Sequence, residues 1–129
     1  MDEFNNKKIY FLEKNDVENG KLKLDVTKGK ITIVMCQGTF CGYCTQAKPA
    51  FIKLSEKFEN NVTFCTILID GTENEQELTS FIKECDPNYK GVPTYLFFKR
   101  DGTYISTHKT GRDVDSLSKA LTSLLIDRH

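Results

Sequence analysis

Ile31-Thr32-Ile33-Val34-Met35-Cys36-Gln37-Gly38-Thr39-Phe40-Cys41-Gly42-Tyr43-Cys44 is the stretch on which the reading of this chain turns. Its first six residues form a near-continuous apolar run, the pattern of a strand buried on both faces. Beyond Cys44, apolar Ala47, Ala50, Phe51, Leu54 and Phe58 recur at helical spacing, with Lys48, Lys53, Glu56 and Lys57 off that stripe. Cys41 and Cys44 therefore stand where a buried strand hands over to a helix. Unpaired backbone N–H groups and the helix dipole favour an anion there, so Cys41 is expected as a thiolate. Cys44, one turn along, is expected to be more buried and to stay protonated.

Outward from this junction the elements alternate. Ile9 to Leu12 reads as a short strand, and Val62 to Ile69 as a second buried one. Thr72, followed by Glu73 and Glu75, opens a helix to about Cys85, which Asp86-Pro87-Asn88 stops. Thr94 to Lys99 and Tyr104 to His108 are β-rich runs joined through the turn signal Asp101-Gly102. Asp113 can cap a last helix with the apolar stripe Leu117, Ala120, Leu121, Leu124 and Leu125. Between Asn15 and Lys30 a helical turn and an alternating Leu22, Leu24, Val26 pattern compete, and both remain open. A right-handed βαβ unit followed by a hairpin implies an α/β fold, with a central mixed β-sheet of four to five strands and helices on both faces. No repeat or linker interrupts it, so residues 1–129 are read as one domain.

A formal net charge of zero with 28% charged residues offers no basic excess for nucleic acid. The residues Met1 to Lys8 do not read as a signal peptide, and no apolar run reaches the roughly 20 residues that span a bilayer. A cytoplasmic protein with no membrane partner is expected. The five cysteines (36, 41, 44, 65 and 85) then fit a reducing compartment, where thiols are more often catalytic or metal-bound than structural.

A lone C-x-x-C is equally half of a zinc site. The two histidines, His108 and His129, supply no second ligand pair of standard spacing. Cys36-x4-Cys41-x2-Cys44 loosely imitates an iron–sulfur ligand spacing, but Cys36 ends a hydrophobic strand and reads better as a small buried hydrophobe. Cys65 is expected in the core; for Cys85, near a helix end, exposure with a regulatory or intermolecular disulfide is the lesser of the readings left open.

Three separated features agree: Phe40-Cys41-Gly42-Tyr43-Cys44, Pro49 inside the following helix, and Gly91-Val92-Pro93-Thr94 before a strand. Together they resemble the thioredoxin family, from about Ile31 to the last helix. The resemblance implies a thioredoxin fold and a thiol–disulfide oxidoreductase without cofactor or metal. Cys41 would attack a substrate disulfide and Cys44 would resolve the mixed disulfide. It further implies that Pro93 follows a cis peptide and faces the dithiol. Substrate would bind at Phe40, Gly42, Tyr43, Val92, Pro93 and Gly111, with the Val92 backbone pairing to an extended segment. Partners would be disulfide-containing proteins and a reductase or other thiol donor.

This sequence also departs from the family. Met35 stands where a buried aspartate is expected, six residues before Cys41, and Thr66 where its lysine is expected. Joint loss avoids stranding one buried charge. It also removes the group credited with deprotonating the resolving cysteine, so slower resolution by Cys44 is expected. Phe40 replaces a tryptophan, Gly42-Tyr43 replaces Gly-Pro, and the helix ending at Cys85 looks longer than in the shortest members. A dithiol reductase is the leading reading, against a disulfide isomerase or oxidase and a redox-silent binding module.

Overall fold

Every residue of Ile31–Gln37 is buried, which a strand achieves only with neighbours on both edges and helices over both faces. The computed structural model describes residues 2–5, 7–71 and 75–127. In chain order it contains β1 (Tyr10–Phe11), β2 (Val17–Glu18), β3 (Lys21–Leu22), α1 (Leu24–Thr27), β4 (Ile31–Gln37), α2 (Gly42–Lys57) and β5 (Val62–Leu68). There follow α3 (Glu75–Cys85), β6 (Thr94–Phe98), β7 (Tyr104–Thr107) and α4 (Val114–Ile126). The expected helix opening at Thr72 and Glu73 lies outside the described residues, as does His129.

Five strands make one mixed sheet in the order β1-β5-β4-β6-β7. β1, β5 and β4 run parallel, whereas β6 and β7 are antiparallel to their neighbours. Alternation along β4 then sorts its side chains by face. Ile31, Ile33 and Met35 join Cys41, Cys44, Ala47, Phe51 and Leu54 of the α2 segment and Leu117 and Leu121 of α4. Val34 and Cys36 face the other way, toward Leu78, Phe81 and Ile82 of α3 and Val26 of α1. Phe51 is the hub of the first layer, its ring centroid 5.5 Å from Phe4, 5.5 Å from Phe64 and 5.9 Å from Tyr95.

Local signals read from the sequence have physical counterparts. Asp113 caps α4, its carboxylate accepting the Ser116 N–H at 3.2 Å. After α3, the Asp86 carboxylate accepts the Asn88 N–H at 2.9 Å and turns the chain. In the Asp101-Gly102 turn, Gly102 has φ +93°, and a Cβ there would lie 1.9 Å from the Leu22 carbonyl oxygen. Glycine is required on both counts.

Three expectations need correction or completion. Lys48, placed off the buried stripe of α2, is 6% exposed; its ammonium pairs with Asp2 at 3.2 Å and lies 5.5 Å from the Phe4 ring centroid. Cys85, whose exposure the sequence left open, is buried with its sulfur 3.9 Å from the Gly20 carbonyl oxygen. In the ambiguous stretch Asn15 to Lys30 the helical turn holds for Leu24 and Val26, which lie in α1, so the Leu22, Leu24, Val26 alternation is not met; only Leu22 is in a strand, paired with Val17 in the two-residue ladder β2–β3.

Candidate active site

The loop from β4 to α2 is tied at its middle before it reaches the cysteines. Thr39 donates its backbone N–H and its hydroxyl to the Asp70 carboxylate, at 3.0 Å and 2.6 Å. The Thr39 hydroxyl holds that carboxyl below its ordinary range. Phe40 then projects outward, 73% exposed, its ring lying over Gly38, where a Cβ would come 2.9 Å from it.

Cys41 is the N-cap of α2. Its sulfur accepts the Cys44 backbone N–H at 3.1 Å, in the manner of a capping oxygen. The same sulfur lies 3.6 Å from the Val92 carbonyl oxygen, to which the thiol donates. This contact joins the start of α2 to the segment entering β6, where the Val92–Pro93 peptide is cis. Cys41 keeps 8% of its surface exposed and Cys44 none. Burial pushes the Cys44 thiol up to about 12, with Cys41 beside it adding to the rise; the Gly38 N–H and the Lys48 ammonium oppose it.

Of the residues singled out from sequence, the structure gathers Cys41, Cys44 and Val92, with Phe40, Gly42 and Tyr43 along the same rim and Pro93 next to Val92. Gly111 belongs to the loop before α4, and its link to the dithiol runs through its neighbour: the Arg112 guanidinium sits 5.3 Å from the Tyr43 ring centroid. The Gly111 carbonyl oxygen also lies 2.8 Å from His108 Nε2. A Cβ on Gly111 would come 2.5 Å from an Asp113 carboxylate oxygen, so glycine here also serves the α4 cap.

Beneath the dithiol the floor is neutral. Met35 pairs with Thr66 on β5 and with Tyr95 on β6. Thr66 donates its hydroxyl to the Met35 carbonyl oxygen at 2.7 Å and accepts Gln37 Nε2 at 3.0 Å. All four are buried. Sequence reasoning missed Arg112, Gln37 and Tyr95. Proximity of Arg112 to Gly111 was an available signal; Gln37 and Tyr95 passed as strand residues. Cys36 points to the opposite face of the sheet from Cys41 and Cys44, and among the described residues no three His, Cys, Asp or Glu side chains gather as a metal site would require.

The thioredoxin family model, described as "Thioredoxin", matches residues 14–123. The chain belongs to the thioredoxin family. Among its relatives, a putative thioredoxin-like protein 453L of Invertebrate iridescent virus 6 is 35% identical over 105 residues, covering 71% of this chain and 76% of that protein. Thioredoxin of Oryctolagus cuniculus is 38% identical over 77 residues, covering 60% of this chain and 65% of its own. Thioredoxin H9 of Arabidopsis thaliana is 29% identical over 123 residues, 95% of this chain and 80% of its own. With both cysteines in place, this thioredoxin-family chain is a thiol–disulfide oxidoreductase. Among the described residues no helix is long and apolar enough to cross a membrane.

Proposed function

We propose that the protein is a cytosolic dithiol reductase of protein disulfides in which Cys41 attacks and Cys44 resolves. The observation that carries this reading is the asymmetry of the pair: Cys41 caps α2 at the rim, its sulfur receiving the Cys44 N–H at 3.1 Å, while Cys44 is fully buried. A Cys41 thiolate attacks one sulfur of the substrate disulfide, and the other substrate sulfur departs with the electron pair. Cys44 then attacks Cys41, expelling the second substrate sulfur and closing the Cys41–Cys44 disulfide. A reductase or other thiol donor returns the two electrons.

The substrate enters as an extended segment across Val92 and Pro93, between walls made by Phe40, Gly42 and Tyr43 on one side and Gly111 on the other. The exposed Phe40 and Tyr43, 73% and 65%, suit apolar side chains of such a segment. Five free thiols fit a reducing compartment.

Insulin reduction driven by dithiothreitol tests the proposal. Wild type should accelerate it and Cys41→Ser should abolish the acceleration; equal rates overturn the reading. A Cys41–Cys44 potential more oxidising than that of glutathione would move the assignment to oxidase or isomerase.

A further inference from the structure

Two buried polar side-chain atoms have no hydrogen-bond partner among the described residues, Gln37 Oε1 and the Tyr95 hydroxyl. Both lie on the face of the sheet whose apolar cluster includes Met35, Cys41 and Cys44. Tyr95 pairs with Met35 across β4 and β6; Gln37 lies two positions beyond Met35 on the same face, a diagonal neighbour within reach of long side chains. Tyr95 is 3% exposed, packs its ring 5.9 Å from Phe51 of α2 and shares one apolar cluster with Cys41 and Cys44. Phenylalanine would fill the same space without burying an unpaired hydroxyl.

The two orphans differ in kind. Gln37 Nε2 is committed to Thr66, which leaves its oxygen, an acceptor only. A phenol O–H donates, and only a donor stabilises a sulfur anion. The anion that has to form in this interior is the Cys44 thiolate, with a methionine beneath it where an acid or base would otherwise act.

We propose that the Tyr95 hydroxyl is the hydrogen-bond donor that stabilises the Cys44 sulfur as it ionises and attacks Cys41 in the mixed disulfide. This rests on the dithiol reading above. In that step the Cys44 proton passes to water, the Cys44–Cys41 bond forms and the Cys41–substrate bond breaks. The substrate sulfur leaves with the electron pair and takes up a proton, so the dithiol is oxidised by two electrons and the substrate reduced by two. Tyr95 keeps its own proton throughout. Burial holds the phenol above its ordinary range, so it remains a donor across neutral pH, and the Arg112 and Cys44 charges act on it.

The titratable groups facing this pair come from every surrounding element. Cys41 and Lys48 belong to the α2 segment, Lys48 being paired with Asp2. His108 stands edge-on to the Tyr95 ring at 6.2 Å after β7, and Arg112 approaches from the loop before α4. Cys36 and Tyr89 act on or feel Cys44 through the sheet.

Reaction with 5,5′-dithiobis(2-nitrobenzoic acid) separates the two steps. The first equivalent of nitrothiobenzoate reports attack by Cys41, the second resolution by Cys44. Tyr95→Phe removes one oxygen and keeps the ring. It should slow the second phase about tenfold and move its pH profile up by about one unit, with the first phase unchanged within about twofold. An unchanged second phase overturns the proposal, and so does equal slowing of both phases, which would mark a structural role. Site-specific 3-fluorotyrosine at position 95, a stronger donor, should accelerate the second phase; no acceleration also overturns it. A wild-type protein that releases only one equivalent refutes the dithiol reading instead.

Discussion

Alkylating the reduced native protein with iodoacetamide near pH 8 should label Cys41 and spare the other four thiols. The reagent needs a thiolate and a path to it. Cys44 has no exposed surface, and its thiol is pushed up to about 12. At that value about one Cys44 sulfur in ten thousand is ionised near pH 8, against about one in four for a free cysteine of pKa about 8.5. Ionisation alone therefore suppresses Cys44 by about three orders of magnitude, before burial is counted. Cys85 is likewise pushed up to about 12 by burial, with Glu84 and Asp86 adding to it. Burial drives Cys36 and Cys65 higher still. Timed quenching followed by digestion and mass spectrometry gives a rate for each sulfur, and the unfolded protein serves as the reference in which all five react. Below its ionisation range the Cys44 rate should climb about tenfold per pH unit. Labelling of native Cys44 within about tenfold of the Cys41 rate near pH 8 would refute the division of labour on which the proposed function rests.

Phe51→Ala should cost about 4 kcal/mol, because it empties the hub between Phe4, Phe64 and Tyr95 at a site with no exposure. Urea unfolding should show the midpoint falling by about 2 M at an unchanged slope, and a loss under about 1.5 kcal/mol would mean that the cavity collapses. Met35→Asp buries a carboxyl beside Thr66 and Tyr95 with no cation in that row, so the folded state should hold the acid above its unfolded value. Such a group keeps stability below the ordinary carboxylate range and loses it as pH rises toward the raised folded value. Urea melts should accordingly show a smaller penalty near pH 4 than near pH 8; the opposite order would mean that the carboxylate finds a positive partner.

What could be read from the sequence follows the range of the forces involved. The stripes Ala47, Phe51, Leu54 and Leu117, Leu121 were legible because one buried face imposes a helical period on consecutive residues. The dithiol was legible because both cysteines sit within one turn of the same helix. Lys48 was not, since what makes its burial tolerable is Asp2 and the Phe4 ring, brought from the far N-terminal segment. The burial of Cys85 was not legible for a similar reason: the Gly20 carbonyl that covers it belongs to the loop joining β2 and β3.

The floor of the site shows what such long-range pairing does to mechanism. Met35 and Thr66 read from sequence as a double loss, the acid and its cation gone together. Their register shows the same two positions side by side, and the Thr66 hydroxyl now spends itself on the Met35 carbonyl oxygen and the Gln37 amide. Those groups can neither take a proton nor offer one toward Cys44. In the resting dithiol the Cys44 sulfur feels one donor and one cation, the Gly38 N–H and the Lys48 ammonium, working against burial and Cys41; the Tyr95 hydroxyl is proposed to join them only as Cys44 ionises. If Cys44 resolves as proposed, the protein's part in that step is to stabilise the anion while the proton passes to water. Raising the pH should therefore speed resolution, whereas added thiol bypasses the step by reducing the mixed disulfide from outside.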